Sequence, residues 1–129
     1  MVKFFYIIFF LPTILISQDW NFEGFYDGSG RHHPVTFSDN RYGYIIAGQD
    51  GDGLYLADFY RYDTYENTWN QLSDFPGGAR GYAYGVSNEI YAYVGFGSNG
   101  EGYFNDLWRF NLIDNSWLQL ASLPDIGRN

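Results

Sequence analysis

Cysteine is absent from the 129 residues. That excludes a disulfide, a thiolate nucleophile and any Cys-based metal centre. Lysine occurs once, at Lys3, and the formal net charge is −8. With no basic patch, neither a nucleic-acid backbone nor an anionic membrane surface suits this chain as a partner. Proline is scarce, at four residues. The G-x-S-x-G, H-E-x-x-H and P-loop signatures do not occur. Beyond residue 18 no stretch carries a 3.6-residue apolar period, so helices are not expected there.

Aromatic residues and glycine are what the chain has in quantity: 22% Phe, Trp and Tyr, and 16 Gly. Disordered chains lack aromatics, so a folded domain is expected. Aromatic alternation broken by Gly-rich turns indicates short strands. The opening, MVKFFYIIFFLPTILIS, has one cation, an apolar run and a small residue. This is the grammar of a cleaved secretory leader over residues 1–18. It is shorter than a membrane span needs, so no membrane association beyond export is expected. The predicted location is secreted, cell-surface or periplasmic.

A Trp followed eleven positions later by an Arg recurs three times: Trp20 and Arg31, Trp69 and Arg80, Trp117 and Arg128. Successive copies lie 49 and 48 residues apart. A period near fifty is the mark of a repeat architecture. Within each period four strands are predicted. In the first they are His32 to Ser38, Arg41 to Gly48, Ala57 to Asp63 and Thr68 to Leu72. In the second they are Tyr82 to Ser87, Ile90 to Gly97, Asp106 to Asn111 and Ser116 to Ala121. Four short antiparallel strands per fifty residues describe a propeller blade.

Tyr62 with Trp69, and Phe110 with Trp117, resemble the aromatic pair of kelch repeats. IIAGQDG, with Gly48, and YVGFGSNG, with Gly95, resemble the kelch glycine pair without its adjacent glycines. The resemblance covers residues 19 to 129 and is nearest to exported bacterial kelch proteins, whose opening often reads like the segment Gly30 to Phe37. It implies an all-β, kelch-type β-propeller segment of the galactose-oxidase central-domain type. The expected organisation is a leader (1–18), a stray outer strand of an incomplete blade (19–30), and two four-stranded antiparallel blades (31–79 and 80–129). Two blades are fewer than a propeller needs. The chain is therefore expected to be part of a longer protein, or to complete its ring by self-association or with further blades.

The loops between second and third strands are expected on the same end as the blade connectors. That end would gather Asp50, Asp52, Tyr55, Arg80, Glu101, Tyr103 and Arg128 as candidate ligand-binding residues. Ordinary solvated loops give the same pattern, and an Arg at a repeat junction more often pairs with a carboxylate or carbonyl. Asp50 and Asp52 fall short of a calcium loop and read as turn formers. His32 and His33, as neighbours on a strand, are expected to point to opposite faces and not to chelate together. No metal, cofactor or catalytic residue is assigned. Galactose oxidase chemistry needs copper and a Cys-linked Tyr, which this segment cannot supply. The primary expectation is a non-catalytic module that recognises a protein or surface glycan. The alternatives are a spacer in a larger surface protein, or a carbohydrate-active propeller such as a sialic-acid epimerase or mutarotase. The enzyme would recruit Arg31, Arg80, Glu89 or Glu101, and would need an acid or base that breaks the repeat.

Overall fold

The computed structural model describes residue 22 and residues 24–124. The expected leader, Trp20 and Arg128 lie outside the described residues. Among these no helix occurs. Ten strands are present: β1 (Arg31–His32), β2 (Val35–Ser38), β3 (Tyr42–Ile46), β4 (Gln49–Asp50), β5 (Phe59–Asp63), β6 (Thr68–Leu72), β7 (Tyr84–Ser87), β8 (Tyr91–Gly95), β9 (Leu107–Asn111) and β10 (Trp117–Gln119). They form two four-stranded antiparallel meanders, β2-β3-β5-β6 and β7-β8-β9-β10, and a two-stranded ribbon, β1-β4.

Side-chain alternation decides how the sheets stack. Antiparallel register aligns Val35 with Ile46, Ile46 with Phe59, and Phe37 with Tyr44, so these side chains share one face. On the second sheet Ala92, Phe110 and Trp117 are aligned, and they face the first. The two faces close over a single core that includes Val35, Phe37, Ile46, Phe59, Phe75, Val94 and Phe110. Each such buried side chain contributes about 1.5–3 kcal/mol. The first strands of the two sheets lie side by side, where Ser87 Oγ donates to the Ser38 carbonyl at 2.8 Å. The far face of the second sheet leaves Tyr84, Val86 and Leu118 exposed.

Trp117 seals the joint between the sheets. Its ring lies 4.8 Å from Phe110, 5.1 Å from Phe75 and 5.8 Å from Phe59. Trp69 has the same register against Tyr62 that Trp117 has against Phe110. It meets Tyr26 at 4.9 Å, and Tyr26 precedes Phe75 by one repeat. The connector before the first blade therefore repeats the contact made by the connector before the second.

Several boundaries differ from expectation. The strand read from His32 to Ser38 breaks at His33, whose φ is 51°, and at Pro34. The strand read to Gly48 ends at Ile46. There Ala47 (φ 60°) and Gly48 (φ 105°) turn the chain, and Phe96 (φ 64°) with Gly97 (φ 86°) does the same one repeat later. Gly97, not the expected Gly95, is thus the counterpart of Gly48; Gly95 lies within β8 opposite Leu107, and Ala47 and Phe96 take the left-handed conformation before the turn glycines. The far-end turns follow side-chain chemistry. Asp39 Oδ1 accepts from the Arg41 and Tyr42 amides at 2.8 and 2.7 Å, and Asn88 Oδ1 from those of Ile90 and Tyr91 at 2.9 and 2.8 Å.

Candidate site at the connector end of the blades

The register that pairs Val35, Ile46, Phe59 and Leu72 puts four chain segments at one end of the first blade. That end carries the 47–58 loop and the connector through 73–83. The second blade brings the 96–106 loop to the same end.

Each blade has an Arg locked at this end. Arg80 is fully buried. Its Nη1 donates to Asp106 Oδ1 at 2.6 Å and to the Phe96 carbonyl at 3.0 Å, and its Nη2 to Asp106 Oδ2 at 3.0 Å. The Gly77 carbonyl accepts from Nη2 as well. The guanidinium lies 3.7 Å from the centre of the Phe104 ring and 5.0 Å from that of Phe75. Arg31 repeats this with Asp58 and the Ala47 carbonyl, and its side chain is 1% exposed. The left-handed turns at Ala47 and Phe96 aim these carbonyls at the guanidinium. The junction reading of Arg31 and Arg80 holds, and Arg80 is not presented to a ligand. Asp58 and Asp106 were not singled out in sequence, although their own spacing of 48 matches the repeat. Burial raises the Tyr26 phenol to about 12, with a smaller upward push from Asp58 that Arg31 opposes. Tyr26 is thus a neutral wedge beside Arg31.

Of the remaining candidates, Tyr55 and Glu101 line one cleft of about 440 Å³ with Leu54, Gly77, Asn99 and Phe104. Asp50 is a turn former: its Oδ1 accepts the amides of Asp52 and Leu54 at 3.0 and 2.8 Å. Asp52, in a turn, and Tyr103, bridged to Ser98, are exposed outside the cleft lining. Glu89 sits in the β7–β8 turn, beside Asp39 and Asn88 at the opposite end. It cannot act with Arg31, Arg80 or Glu101. Among the described residues no three His, Asp or Glu side chains converge on a metal position.

A second cleft, of about 390 Å³, is lined by His33, Pro34, Tyr82, Ala83 and Tyr84. The two histidines do not diverge to opposite faces as strand neighbours are expected to. The positive φ of His33 cancels strand alternation, and His32 Nδ1 meets His33 Nδ1 at 2.6 Å. His33 also stacks on Tyr82, with ring centres 4.0 Å apart and planes 24° apart.

Two antiparallel four-stranded sheets, stacked face to face in fixed repeat phase and joined by an Arg–Asp lock, are blades of a β-propeller. Residues 31–76 match the Kelch motif model. The first blade therefore carries a kelch repeat, and the second sheet repeats its four-stranded antiparallel plan. The chain is 36% identical over 105 residues to N-acetylneuraminate epimerase of Shigella sonnei (strain Ss046), which covers 73% of this chain and 28% of that protein. It is 35% identical, with the same coverage, to the proteins of that name from Escherichia coli (strain K12) and, as N-acetylneuraminate epimerase 2, from Escherichia coli O6:H1. The chain therefore spans little more than a quarter of the length of these relatives.

Proposed function

We propose that the chain supplies two blades of a kelch propeller that binds a sialic acid at its connector end and acts on it as an epimerase. The observation that carries this reading is the 36% identity over 105 residues with a protein named N-acetylneuraminate epimerase. The local geometry supports it. Two clefts of monosaccharide size open at one end, lined by tyrosines and a carboxylate. The repeat is broken there by titratable side chains, since His32-His33 stands where the next blade has Gly81-Tyr82. Epimerisation at an anomeric carbon needs one group to give a proton to the ring oxygen and another to take one from the hydroxyl. Glu101, in the larger of the two clefts, is an exposed carboxylate at this end that can exchange such a proton. The leader-like opening fits export to a compartment where the sugar is met.

The test is anomer exchange. N-acetylneuraminate is dissolved freshly and its two anomers are followed by proton NMR, with and without the protein. Faster equilibration is expected, and a rate equal to that of buffer overturns the enzymatic reading. A second reading, non-catalytic recognition of a protein or surface glycan, is favoured by the Arg–Asp locks, which withdraw both described connector arginines from ligand contact. Binding without faster exchange would select it.

A further inference from the structure

This inference rests on the sialic-acid reading and concerns where the anion is held. N-acetylneuraminate carries a carboxylate, and a chain of net charge −8 repels an anion at long range. A cation within contact distance is therefore needed. Arg31 and Arg80 do not serve, because their side chains are 1% and 0% exposed and both are paired. Arg41 is at the opposite end, on Asp63. Arg61 and Arg109 lie along the strands over Tyr42 and Tyr91. Among the described residues, His32 and His33 are the exposed side chains at the connector end that can carry positive charge.

Their geometry suits that task. With Nδ1 facing Nδ1 at 2.6 Å, one ring donates and the other accepts. The accepting ring carries its proton on Nε2, so an N–H is directed away from the shared contact, where a carboxylate can accept from it. A left-handed residue recurs at this position in both blades and sets where the rings lie. His33 (φ 51°) and Tyr82 (φ 58°) occupy equivalent repeat positions and are both left-handed without being glycine. Such conformations persist where surrounding structure enforces them, and they cluster at functional sites. Here the Tyr82 amide donates to the His33 carbonyl at 3.3 Å. Tyr82 and Tyr84 are 38% and 64% exposed, so aromatic surface stands beside the imidazole pair.

We infer that the His33–Tyr82 stack, with His32 behind it, is a subsite for a carboxylate-bearing pyranose. The tyrosines take the apolar face of the sugar and the imidazole pair takes its carboxylate.

The test uses His33→Asn and Tyr82→Asn, since Asn tolerates the left-handed backbone. Each is titrated calorimetrically with N-acetylneuraminate and with uncharged N-acetylmannosamine. H33N is expected to weaken the acidic sugar about tenfold, the loss of one charge-assisted hydrogen bond, and to leave the neutral one unchanged. Y82N is expected to weaken both. A protein that binds N-acetylneuraminate with the same affinity in both variants overturns the subsite and leaves the sialic-acid reading standing. A folded wild-type protein that binds neither sugar overturns both. A readout on the unmutated chain guards against misfolded variants. It has two histidines, whose ring C–H signals must shift when N-acetylneuraminate is added; unmoved signals in a sugar-bound protein overturn the subsite alone.

Discussion

Arg80 Nη1 stands 2.6 Å from Asp106 Oδ1 and 3.0 Å from the carbonyl oxygen of Phe96, with no exposure to solvent. One guanidinium thus ties the connector to the second blade and satisfies the carbonyl of a left-handed turn. Removing Asp106 leaves a buried cation unpaired. Asp106→Ala is expected to cost about 3–5 kcal/mol, measured by urea unfolding. The double variant Arg80→Met with Asp106→Leu should recover part of that loss, because both desolvation penalties disappear together.

The turns at 47–48 and 96–97 are predicted to respond oppositely to substitution. Ala47→Gly removes a left-handed penalty at a buried site and should leave stability unchanged or raise it by up to about 1 kcal/mol. Gly97→Ala would place a Cβ 2.5 Å from the Gly81 carbonyl oxygen at φ 86°. A cost of about 3 kcal/mol or more is expected. Thermal melts of both variants check the contrast.

Trp117 closes a joint lined by Phe59, Phe75 and Phe110, so Trp117→Ala should cost about 3–5 kcal/mol. Trp69 has ring contacts with Tyr26 and Tyr62, and Trp69→Ala should cost less, about 1–2 kcal/mol. Equal losses in chemical denaturation would contradict this account of the joint.

Acid should weaken the first blade through Asp63. The Arg41 guanidinium lowers its carboxyl from 3.8 to about 2 against an opposing effect of burial, helped by the amides of Tyr65 and Glu66. A carboxyl depressed in the folded state contributes stability above its ordinary value, and that contribution is lost as pH falls from 3.8 towards 2. Asp63→Asn should flatten the fall of melting temperature in that window. Asn111, at the equivalent position, holds its turn through the Ile113 amide at 2.9 Å without a cation.

The blades were legible because their period is long and their aromatic marks keep phase. Thr68 to Leu72 was read with the bounds it has, since Trp69 and Leu72 are bracketed by polar residues. Gln49–Asp50 was read as loop, because a two-residue ribbon is too short to show alternation. The Arg locks were legible as a class, but their partners were not: Asp58 and Asp106 come together with Arg31 and Arg80 only when the chain folds back across the blade. The imidazole pair departs from strand alternation for a local reason. Alternation holds only while φ stays negative, and no residue pattern announces that His33 turns left-handed beside a proline. The candidate site was accordingly less legible than the scaffold. Tyr55 and Glu101 line one cleft, whereas Arg80 is fully buried.

Phe75 wedged against Trp108 and Trp117, at 5.9 and 5.1 Å, and Tyr26 wedged against Tyr60 and Trp69, at 5.2 and 4.9 Å, are one hinge block cast twice. The tilt between the two sheets then depends on the girth of the Phe75 ring. Trimming or thickening that block would alter the pitch at its own joint and leave the sheets on either side intact.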